Sequence, residues 1–189
     1  MLQRGFERVS AGKGWKMDKE WLPYDELSTN LKIAAMAGED ANFMHHWGFD
    51  LKSIERAYKK NKQGNKVRGG STITQQVAKN VFLWPGRSWL RKGFEAYFTV
   101  LIEIFWSKQR TLEMYLNVSE MGDGIYGAQA ATNTYYNKPA TSLSKGQAAL
   151  LIAILPSPLR WSAVKPTQYV LRRRQLILNN MRHLRNTKL

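Results

Sequence analysis

The longest periodic feature of the sequence is a run of apolar residues at helical spacing between Ser88 and Asn117. Residues three or four positions apart share one face of a helix, so this run predicts one long helix or two in succession. No alternating strand pattern, low-complexity segment or internal repeat accompanies it. We therefore expect an all-α fold. The apolar positions of the run include Leu90, Phe94, Tyr97, Phe98, Leu101, Ile102, Phe105, Leu112, Tyr115 and Leu116.

Further helices are predicted on both sides of this run, separated by breaks that contain Gly or Pro. The breaks are clearest at Pro85-Gly86 and at Pro156, because proline cannot continue a helix. Asp50 and Ser71 stand where a helix N-cap is expected. Met121–Gly127 reads as a Gly-rich loop. The predicted segments are Tyr24–Gly38 (a short turn, then a helix), Asp50–Lys60, Ser71–Asn80, Ala128–Asn137, Ser144–Leu155 and Tyr169–Leu184.

Length and charge narrow the class of protein. The 189 residues are enough for one domain with a real core. The formal net charge of +15 implies an anionic partner, such as nucleic acid, an acidic membrane surface or a phosphorylated substrate. The absence of cysteine excludes disulfides and thiolate metal sites. No apolar run of membrane-spanning length occurs, and the first residues do not resemble a signal peptide.

The segment Gly38–Asp50 concentrates polar residues at the end of a predicted helix. A carboxylate such as Glu39 or Asp40, placed in a partly enclosed cleft, has a raised pKa and can act as a general base. Phe43 and His46 follow within the same short stretch. The plainer interpretation is a solvated helix end, with a capping Asp40, a core Phe43 and a His46 that donates a structural hydrogen bond.

A second polar segment begins at Gly69-Gly70 and enters a helix near Ser71. Free backbone N–H groups at a helix N-terminus favour a phosphate. Helical spacing places four polar residues on one face, which is either a binding face or simply solvated. These four residues are Thr72, Gln76, Lys79 and Asn80.

Two further clusters follow. Arg87, Arg91 and Lys92 lie near Glu95, either as an anion site or as a surface salt-bridge patch of little energetic value. The segment Phe82–Trp89 places two tryptophans beside Pro-Gly and basic residues. This composition suits a membrane interface, although a loop folded back onto the core would explain it equally well.

Taken together, these segments resemble the peptidoglycan glycosyltransferase family (glycosyltransferase family 51) from about Leu22 to about Met181. The chain departs from the family pattern at Thr111, Tyr135-Tyr136 and Gln147, where Ile, Tyr-Phe and Glu are usual. The matching signatures, which follow the family's order and intervals, are E-D-x-x-F-x-x-H-x-G at Glu39–Gly48, G-G-S-T-I-T-Q-Q at Gly69–Gln76 with Lys79-Asn80 after it, R-K-x-x-E at Arg91–Glu95, K-x-x-T-L-E-x-Y-L-N at Lys108–Asn117, and G-I-Y-G at Gly124–Gly127.

The resemblance implies a mostly α, lysozyme-like domain in which a larger lobe faces a smaller, membrane-embedded jaw lobe. We expect the glycosyltransferase domain at residues 22–189, after a polar segment at residues 1–21. The chain resembles the monofunctional members, which carry an N-terminal membrane helix that is missing from this sequence. The residues expected to contact the membrane at the jaw are Phe82, Leu83, Trp84 and Trp89.

The resemblance also implies a reaction and roles for its residues. The family joins a GlcNAc 4-hydroxyl to the anomeric carbon of a lipid-linked MurNAc, with inversion, and releases polyprenyl pyrophosphate. Glu39 matches the general base, and Glu95 matches a second important carboxylate that either positions the site or helps to hold a divalent cation. Lys79 and Arg87 match the pyrophosphate-binding residues. The other residues expected to bind substrate are Asp40, Phe43, His46, Ser71, Thr72, Gln76, Asn80, Arg91 and Lys92.

The partners implied are lipid II, the growing lipid-linked glycan chain, an anionic membrane surface and moenomycin-type inhibitors, with no nucleic acid. Mg²⁺ or Mn²⁺ assists many family members, but the sequence contains no dedicated metal-ligand motif. The expected location is the outer face of a bacterial cytoplasmic membrane.

Two other classes of function compete with this interpretation. A lysozyme-like hydrolase or lytic transglycosylase would share the fold and one glutamate, but it needs no cationic pyrophosphate site. A nucleic-acid-binding helical module would explain the net charge of +15. Against that module, the carboxylates cluster with the glycines instead of lying outside a basic stripe.

Overall fold

The computed structural model describes residues 8–12, 14–55, 70–86 and 88–184. Within these ranges the chain is mostly helical, which confirms the predicted fold class. Short 3₁₀ helices occur at Tyr24–Glu26, Phe43–His45 and Ala140–Ser142, and residues 51–55 are also helical. The longer helices are α1 Thr29–Glu39, α2 Ile73–Phe82, α3 Trp89–Phe105, α4 Lys108–Val118, α5 Ala128–Tyr136, α6 Lys145–Ile154 and α7 Gln168–His183.

The predicted run from Ser88 to Asn117 is two helices, because Ser107 interrupts it. Its hydroxyl accepts a hydrogen bond from the Arg110 N–H at 3.1 Å and caps the start of α4. Ser88 caps α3 in the same way through Arg91 N. The sequence pattern therefore located the helical stretch, and the capping serines Ser88 and Ser107 mark where its two helices begin.

Asp50 begins a helix as predicted. Its Oδ1 accepts from the Ser53 N–H at 2.9 Å, and its Oδ2 accepts from the Asn42 amide at 2.8 Å. Burial alone would raise the pKa of this carboxyl, but the hydrogen bonds from Ser53 and Asn42 outweigh it and lower the pKa to about 2. Only residues 51–55 of the predicted Asp50–Lys60 helix are described.

The prediction that Ser71 caps the following helix is wrong by one residue. The cap is Thr72, whose hydroxyl accepts from Gln75 N at 3.2 Å while Gln75 Oε1 accepts from Thr72 N at 2.9 Å. This reciprocal pair is a capping box, and it needs a Gln or Glu three residues after the cap. Thr72 has such a partner at Gln75, whereas the residue three positions after Ser71 is Thr74.

A small sheet replaces the loop predicted at Met121–Gly127. Strands β1 Asp18–Lys19, β2 Glu120–Gly122 and β3 Ile125–Tyr126 lie in the order β1-β3-β2. β1 pairs parallel with β3, and β2 pairs antiparallel with it. Strands of two or three residues are too short to show an alternating pattern in the sequence.

The core is built around α1 and α6, which pack on each other and on α7. Small residues line the contact, with Ala34 and Ala35 on α1 and Ala148 and Ala149 on α6, all completely buried. Small side chains allow the helices to approach closely. At the C-terminus of α1, Glu39 contacts Arg173 of α7.

In a second group of helices, α2 packs on both α3 and α4, and α4 contacts α1 of the core. Glu103 of α3 ties the group together, because its Oε1 accepts from the Thr74 hydroxyl and from the Lys108 amine, each at 2.7 Å. No helix in the described part of the chain is both long and apolar enough to cross a bilayer. The jaw lobe stays a prediction.

The N-terminal segment is held to the helical body at Leu22. The Asn117 side chain donates to the Leu22 carbonyl at 2.9 Å and accepts from its N–H at 2.8 Å. Both side-chain groups of this buried asparagine are thereby satisfied by one backbone residue. The domain boundary between residues 21 and 22 stays a prediction, although β1 lies before it and pairs with β3.

Candidate active site

Two adjoining cavities lie between the core and the α2–α3 helices, and together they are called the cleft below. The larger has a volume of about 1060 Å³ and the smaller about 380 Å³. Ser71 lines both cavities, which therefore adjoin at this residue. Glu39 and Asp40 line the smaller cavity, and Lys79 and Glu95 line the larger one.

Glu39 is the carboxylate best placed for proton transfer. Its side chain is only 13% exposed, and its oxygens are held separately by Arg173 at 2.7 Å and by the Gln76 amide at 3.1 Å. Burial raises the pKa of Glu39, and the charge of Arg173 and the hydrogen bond from Gln76 reverse only part of that shift. A carboxylate with a raised pKa, in contact with a cavity, has the properties of a general base.

The side chain of Asp40, the residue after Glu39, is buried and bonds to other protein groups. His46 Nε2 lies 2.9 Å from both of its oxygens, and the Ile73 N–H at the start of α2 donates to Oδ2 at 3.0 Å. A carboxylate at a helix N-terminus is favoured by the helix dipole. Asp40 and His46 therefore join the first signature to the second, and their predicted contact with substrate stays a prediction.

A second bond between the two signatures runs from Thr72 to Gly48. The Thr72 hydroxyl donates to the Gly48 carbonyl at 2.6 Å. Gly48 has a φ of +70°, and a Cβ there would come within 2.6 Å of Thr99 Cγ2. Both the positive φ and the tight contact require glycine. Two hydrogen bonds, Thr72 to Gly48 and Ile73 to Asp40, therefore join the two signatures beside Glu39.

Phe43 lies behind the cleft and is completely buried. The Lys108 amine sits 4.7 Å from the centre of its ring, and His46 approaches the ring edge-on at 6.3 Å between centroids. The plainer sequence interpretation of Phe43 as a core residue therefore agrees with its burial. Neither Phe43 nor His46 lines the described cavities.

The larger cavity has a cationic wall, formed by Lys79, Arg91 and Lys92, with Asn80 beside it. Glu95, which is 3% exposed, accepts from the Lys92 amine at 2.5 Å and lies 3.6 Å from Arg91. Lys79 lines this cavity and is exposed as a residue. Desolvation of its amine by the walls lowers its pKa, although Glu95 opposes the shift. Fixed positive charge here suits a phosphorylated ligand.

The four residues expected to contact the membrane do not all lie in the cleft. Leu83 and Trp84 line the larger cavity, while Phe82 stacks on Phe98 with 4.7 Å between ring centres. Trp89 is 92% exposed. Arg87 lies outside the described residues, as does the first glycine of the Gly69-Gly70 pair.

Among the described residues, the carboxylates of the cleft are not grouped like the ligands of a metal ion. In the described ranges, no three acidic or histidine side chains converge as ligands. Glu95 is already occupied by Lys92 and Arg91, and Asp40 by His46 and Ile73 N. A divalent cation held by protein requires several free oxygen ligands, and this donor set does not supply them.

Arg173 is the site residue that sequence reasoning missed. It belongs to α7, predicted only as a final basic helix, and its partner Glu39 lies 134 positions earlier in the chain. The one signal was the triplet Arg172-Arg173-Arg174, in which Arg173 falls three positions after the buried Val170 and four before the buried Ile177. A cation on the core-facing side of a helix indicates a buried partner.

The positions at which the chain departs from the family pattern have partners of their own. The Thr111 hydroxyl donates to the Ser107 carbonyl at 3.1 Å, and Gln147 completes a capping box with Ser144 at the start of α6. Tyr135 donates to the Met121 carbonyl at 2.9 Å. Burial raises the pKa of Tyr136 to about 12. None of these contacts involves the cleft carboxylates.

A largely buried carboxylate with a raised pKa, in a cavity that adjoins a wall of cations, suits the transfer of a group from a phosphorylated donor. Comparison with known proteins agrees with this chemistry, since a sequence model described as transglycosylase matches residues 7–182. The chain belongs to the transglycosylase family.

Curated relatives are similar along nearly the whole chain. A biosynthetic peptidoglycan transglycosylase of Pseudomonas entomophila (strain L48) is 52% identical over 97% of this chain and 78% of its own length. The protein of that name from Pseudomonas putida (strain W619) is 50% identical over the same shares. The one from Stutzerimonas stutzeri (strain A1501) is 51% identical, over 97% of this chain and 76% of its own.

Proposed function

We propose that the cleft polymerises lipid II into β-1,4-linked glycan strands, with Glu39 as the general base. Membership of the transglycosylase family and the names of the relatives make the chain a peptidoglycan glycosyltransferase, an enzyme of the bacterial cell envelope. The observation that carries the residue-level proposal is the placement of Glu39, buried and held by Arg173 and Gln76, in a cavity that adjoins the cationic wall.

The step begins at the acceptor. The GlcNAc 4-hydroxyl gives its proton to a Glu39 oxygen while its oxygen bonds to C1 of the lipid-linked MurNAc. Each Glu39 oxygen already accepts one hydrogen bond and has a second lone pair free for this proton. Burial raises the pKa of Glu39, which makes it a better proton acceptor than an exposed glutamate.

The bond that breaks is the one from C1 to the pyrophosphate oxygen, and its electron pair leaves with the pyrophosphate. The leaving group needs charge stabilisation more than a proton. Lys79, Arg91 and Lys92 supply that charge from one wall, and Arg87 is proposed to join them. Because attack and departure occur on opposite faces of C1, an α-linked donor gives a β-linked product.

Lys79 connects the two halves of the site. Its charge influences the pKa of Glu39, and the charges of Glu39 and Glu95 in turn influence its own. Lys79 is therefore close enough to both Glu39 and Glu95 to interact with their charges. In this proposal Glu95 orients Lys92 and Arg91 and does not take the acceptor proton.

The cationic wall also separates this proposal from its rival. A hydrolase or lytic transglycosylase of similar fold cleaves a sugar–sugar bond, whose leaving oxygen needs a proton from a general acid. That cleavage does not need a wall of three cations, whereas a departing pyrophosphate is stabilised by one. The relatives' names, which include the word biosynthetic, favour synthesis.

A membrane surface is the proposed second partner. One face of α3 leaves its apolar side chains exposed along most of the helix, and we call this set the apolar face. Its neighbour Trp84 is also about half exposed. Aromatic rings and nearby cations favour the headgroup region of an anionic bilayer. The apolar face consists of Trp89, Leu90, Phe94, Tyr97, Val100, Ile104 and Phe105.

On this proposal the domain works at the outer face of the bacterial cytoplasmic membrane, where a lipid-linked substrate reaches the cleft from the bilayer. Leu83 and Trp84 line the cavity, and Trp84 also contacts Phe94 of the apolar face at 6.0 Å between ring centres. This continuity from surface to cleft suits a substrate with a long lipid tail. Phosphoglycolipids of the moenomycin type, which resemble the donor, are proposed to bind the same cavity.

The test is a product assay with labelled lipid II in vesicles that contain anionic lipid. Polymer growth from lipid II, with no cleavage of preformed glycan, is the expected result. Shortening of preformed glycan with no polymer from lipid II would overturn the proposal in favour of the hydrolase. The variant Lys145→Ala, which removes an exposed cation at the start of α6, serves as a matched control for charge.

A further inference from the structure

The side chain of Arg173 reaches Glu39 from the far end of the chain. One guanidinium nitrogen donates to Glu39 Oε1 at 2.7 Å and makes a longer contact of 3.4 Å with the Gly38 carbonyl. The two side chains are 25% and 13% exposed, so the pair is largely shielded from water. Ion pairs in such surroundings are screened much less than surface pairs.

The second oxygen of Glu39 is held by a different element. Gln76 of α2 donates to Oε2 at 3.1 Å, so the carboxylate is fixed from α7 on one side and from α2 on the other. With one bond to each oxygen, rotation of the carboxylate would break both bonds. The orientation of the proposed base therefore depends on Arg173 and Gln76 together.

The position of Glu39 is unfavourable for a negative charge. It is the last residue of α1, where the unpaired carbonyls carry partial negative charge. The buried Tyr115 hydroxyl of α4 and the neighbouring Asp40 lie close by. The favourable charges that face Glu39 are Arg173 from α7 and Lys79 from α2. Arg173 is the one that contacts it directly.

We propose that Arg173 is a positioning residue that keeps the Glu39 carboxylate ionised and oriented to receive the acceptor proton. This inference rests on the proposed function of Glu39 as a general base. Without Arg173, the largely buried carboxylate of Glu39 would lose its paired charge, and taking up a proton would cost less free energy than staying ionised. A protonated Glu39 cannot accept another proton, so activity would be lost at pH values where the wild-type protein is still active.

A purely structural role for Arg173 predicts something different. The Nε of Arg173 is buried and has no hydrogen-bond partner among the described residues. A buried ion pair with an unsatisfied donor is weak support for stability, and apolar replacement of such pairs is often tolerated. If Arg173 only joined α7 to α1, its loss would lower the melting temperature without moving the pH dependence of activity.

The experiment compares Arg173→Met, Arg173→Lys and the control Arg172→Met, which removes an exposed charge from the neighbouring position on α7. The titration of Glu39 is followed by carboxyl ¹³C NMR in the free protein, with Glu39→Gln to assign the signal. The pH dependence of kcat/KM is then measured with lipid II. The NMR readout does not depend on the identity of the substrate.

In Arg173→Met, the Glu39 titration and the acidic limb of kcat/KM should both move upward by about one pH unit or more, the usual effect of one neighbouring charge. Arg173→Lys, which keeps a positive charge, should return the titration and the acidic limb most of the way to wild type, and Arg172→Met should shift neither. An unchanged Glu39 titration in Arg173→Met would overturn the inference and leave the general base in place. A moved titration with an unmoved acidic limb would refute Glu39 as the base, and the positioning role with it.

Discussion

Glu39 and Glu95 are buried carboxylates of one cleft with opposite kinds of surroundings. Glu39 contacts one cation, which comes from a helix distant in the chain, and an amide. Glu95 contacts Lys92 and Arg91, which lie on its own helix three and four positions earlier. Glu39 lines the smaller cavity and Glu95 the larger, cationic one.

The difference indicates how one cleft separates two tasks. A carboxylate with a raised pKa and a free lone pair on each oxygen is suited to moving a proton. A carboxylate closely paired with two neighbouring cations is suited to holding those cations in place for an anionic ligand. Glu39 fits the first description and Glu95 the second. The predictions below test this division, from the largest expected effect to the smallest.

The substitution Glu39→Gln should reduce the rate of polymerisation by about 10²–10⁴-fold, the usual contribution of a positioned general base. Glutamine keeps the shape and can still contact Arg173, but it cannot take a proton. The measurement is the rate of polymer formation from labelled lipid II, with Glu113→Gln, which alters a more peripheral pair with Arg110, as the control. If Glu39→Gln polymerises lipid II at a rate within threefold of wild type, Glu39 is not the general base.

Removing either of the two cations proposed to bind the pyrophosphate should act on the donor. Lys79→Ala and Arg87→Ala should each weaken turnover and the binding of a moenomycin-type inhibitor by roughly 10- to 100-fold, the usual value of a charge-assisted hydrogen bond. Affinity is measured by titration with labelled inhibitor, and Lys145→Ala is the control. Unchanged inhibitor affinity in both variants would place the phosphate site elsewhere.

The apolar face should act through membrane binding and not through either carboxylate. Its most exposed members, Trp89, Leu90 and Phe105, can be replaced together by Ser with little loss of packing. Binding to anionic vesicles should fall about tenfold or more, since each buried CH₂ contributes about 0.8 kcal/mol. Vesicle co-sedimentation measures this loss.

The control for that experiment replaces Leu159, Val164 and Leu176, which are exposed apolar residues on α7 and the loop before it. The control triple should bind vesicles as wild type does. If the Trp89, Leu90 and Phe105 triple is stable and still binds vesicles normally, the apolar face is not the membrane contact.

The smallest expected effect concerns stability. Burial raises the pKa of Glu39 in the folded protein above its unfolded value of 4.5, so folding takes up a proton there and stability falls as the pH rises through that window. Glu39→Gln should remove this loss, so its stability relative to wild type should improve as the pH rises from 4 to 7. Urea unfolding at each pH measures the difference, and an improvement that is independent of pH would contradict the burial argument.

Asp50 is a control in which the pKa shift, and therefore the pH dependence of stability, has the opposite sign. Its pKa is lowered to about 2 from 3.8, so the stability that it contributes is present above pH 3.8 and is lost as the pH falls toward 2. Asp50→Asn should therefore be less stable than wild type at pH 7, and the gap should close in acid.

The sequence predicted the fold class, the helices and the principal carboxylates, because each is local. Apolar spacing within one segment located α3 and α4, and the two Gly- and carboxylate-rich segments located Glu39 and its surroundings. The prediction of a helix N-cap was wrong where neighbouring residues could both serve as the cap and one side-chain hydrogen bond decided between them. Thr72 caps α2 in place of Ser71, because Gln75 stands three positions after it.

Contacts between distant segments could not be predicted. Nothing near Arg173 in the sequence indicates that it pairs with Glu39, since only the packing of α7 on α1 brings them together. The buried tie from Asn117 to Leu22 and the short strands of the sheet depend in the same way on tertiary structure. The proposed division of roles between Glu39 and Glu95 rests on the partners of each carboxylate, and the partner Arg173 could not be predicted from the sequence.

The central claim is that Glu39 moves a proton while Glu95 holds cations, and a single-turnover experiment tests it directly. Wild type, Glu39→Gln and Glu95→Gln are each saturated with lipid II, and formation of the first new glycosidic bond is timed while donor affinity is measured separately. The account predicts that Glu39→Gln binds the donor normally but forms the bond at least 100-fold more slowly, whereas Glu95→Gln binds the donor more weakly. Normal bond formation by Glu39→Gln with bound donor would contradict it.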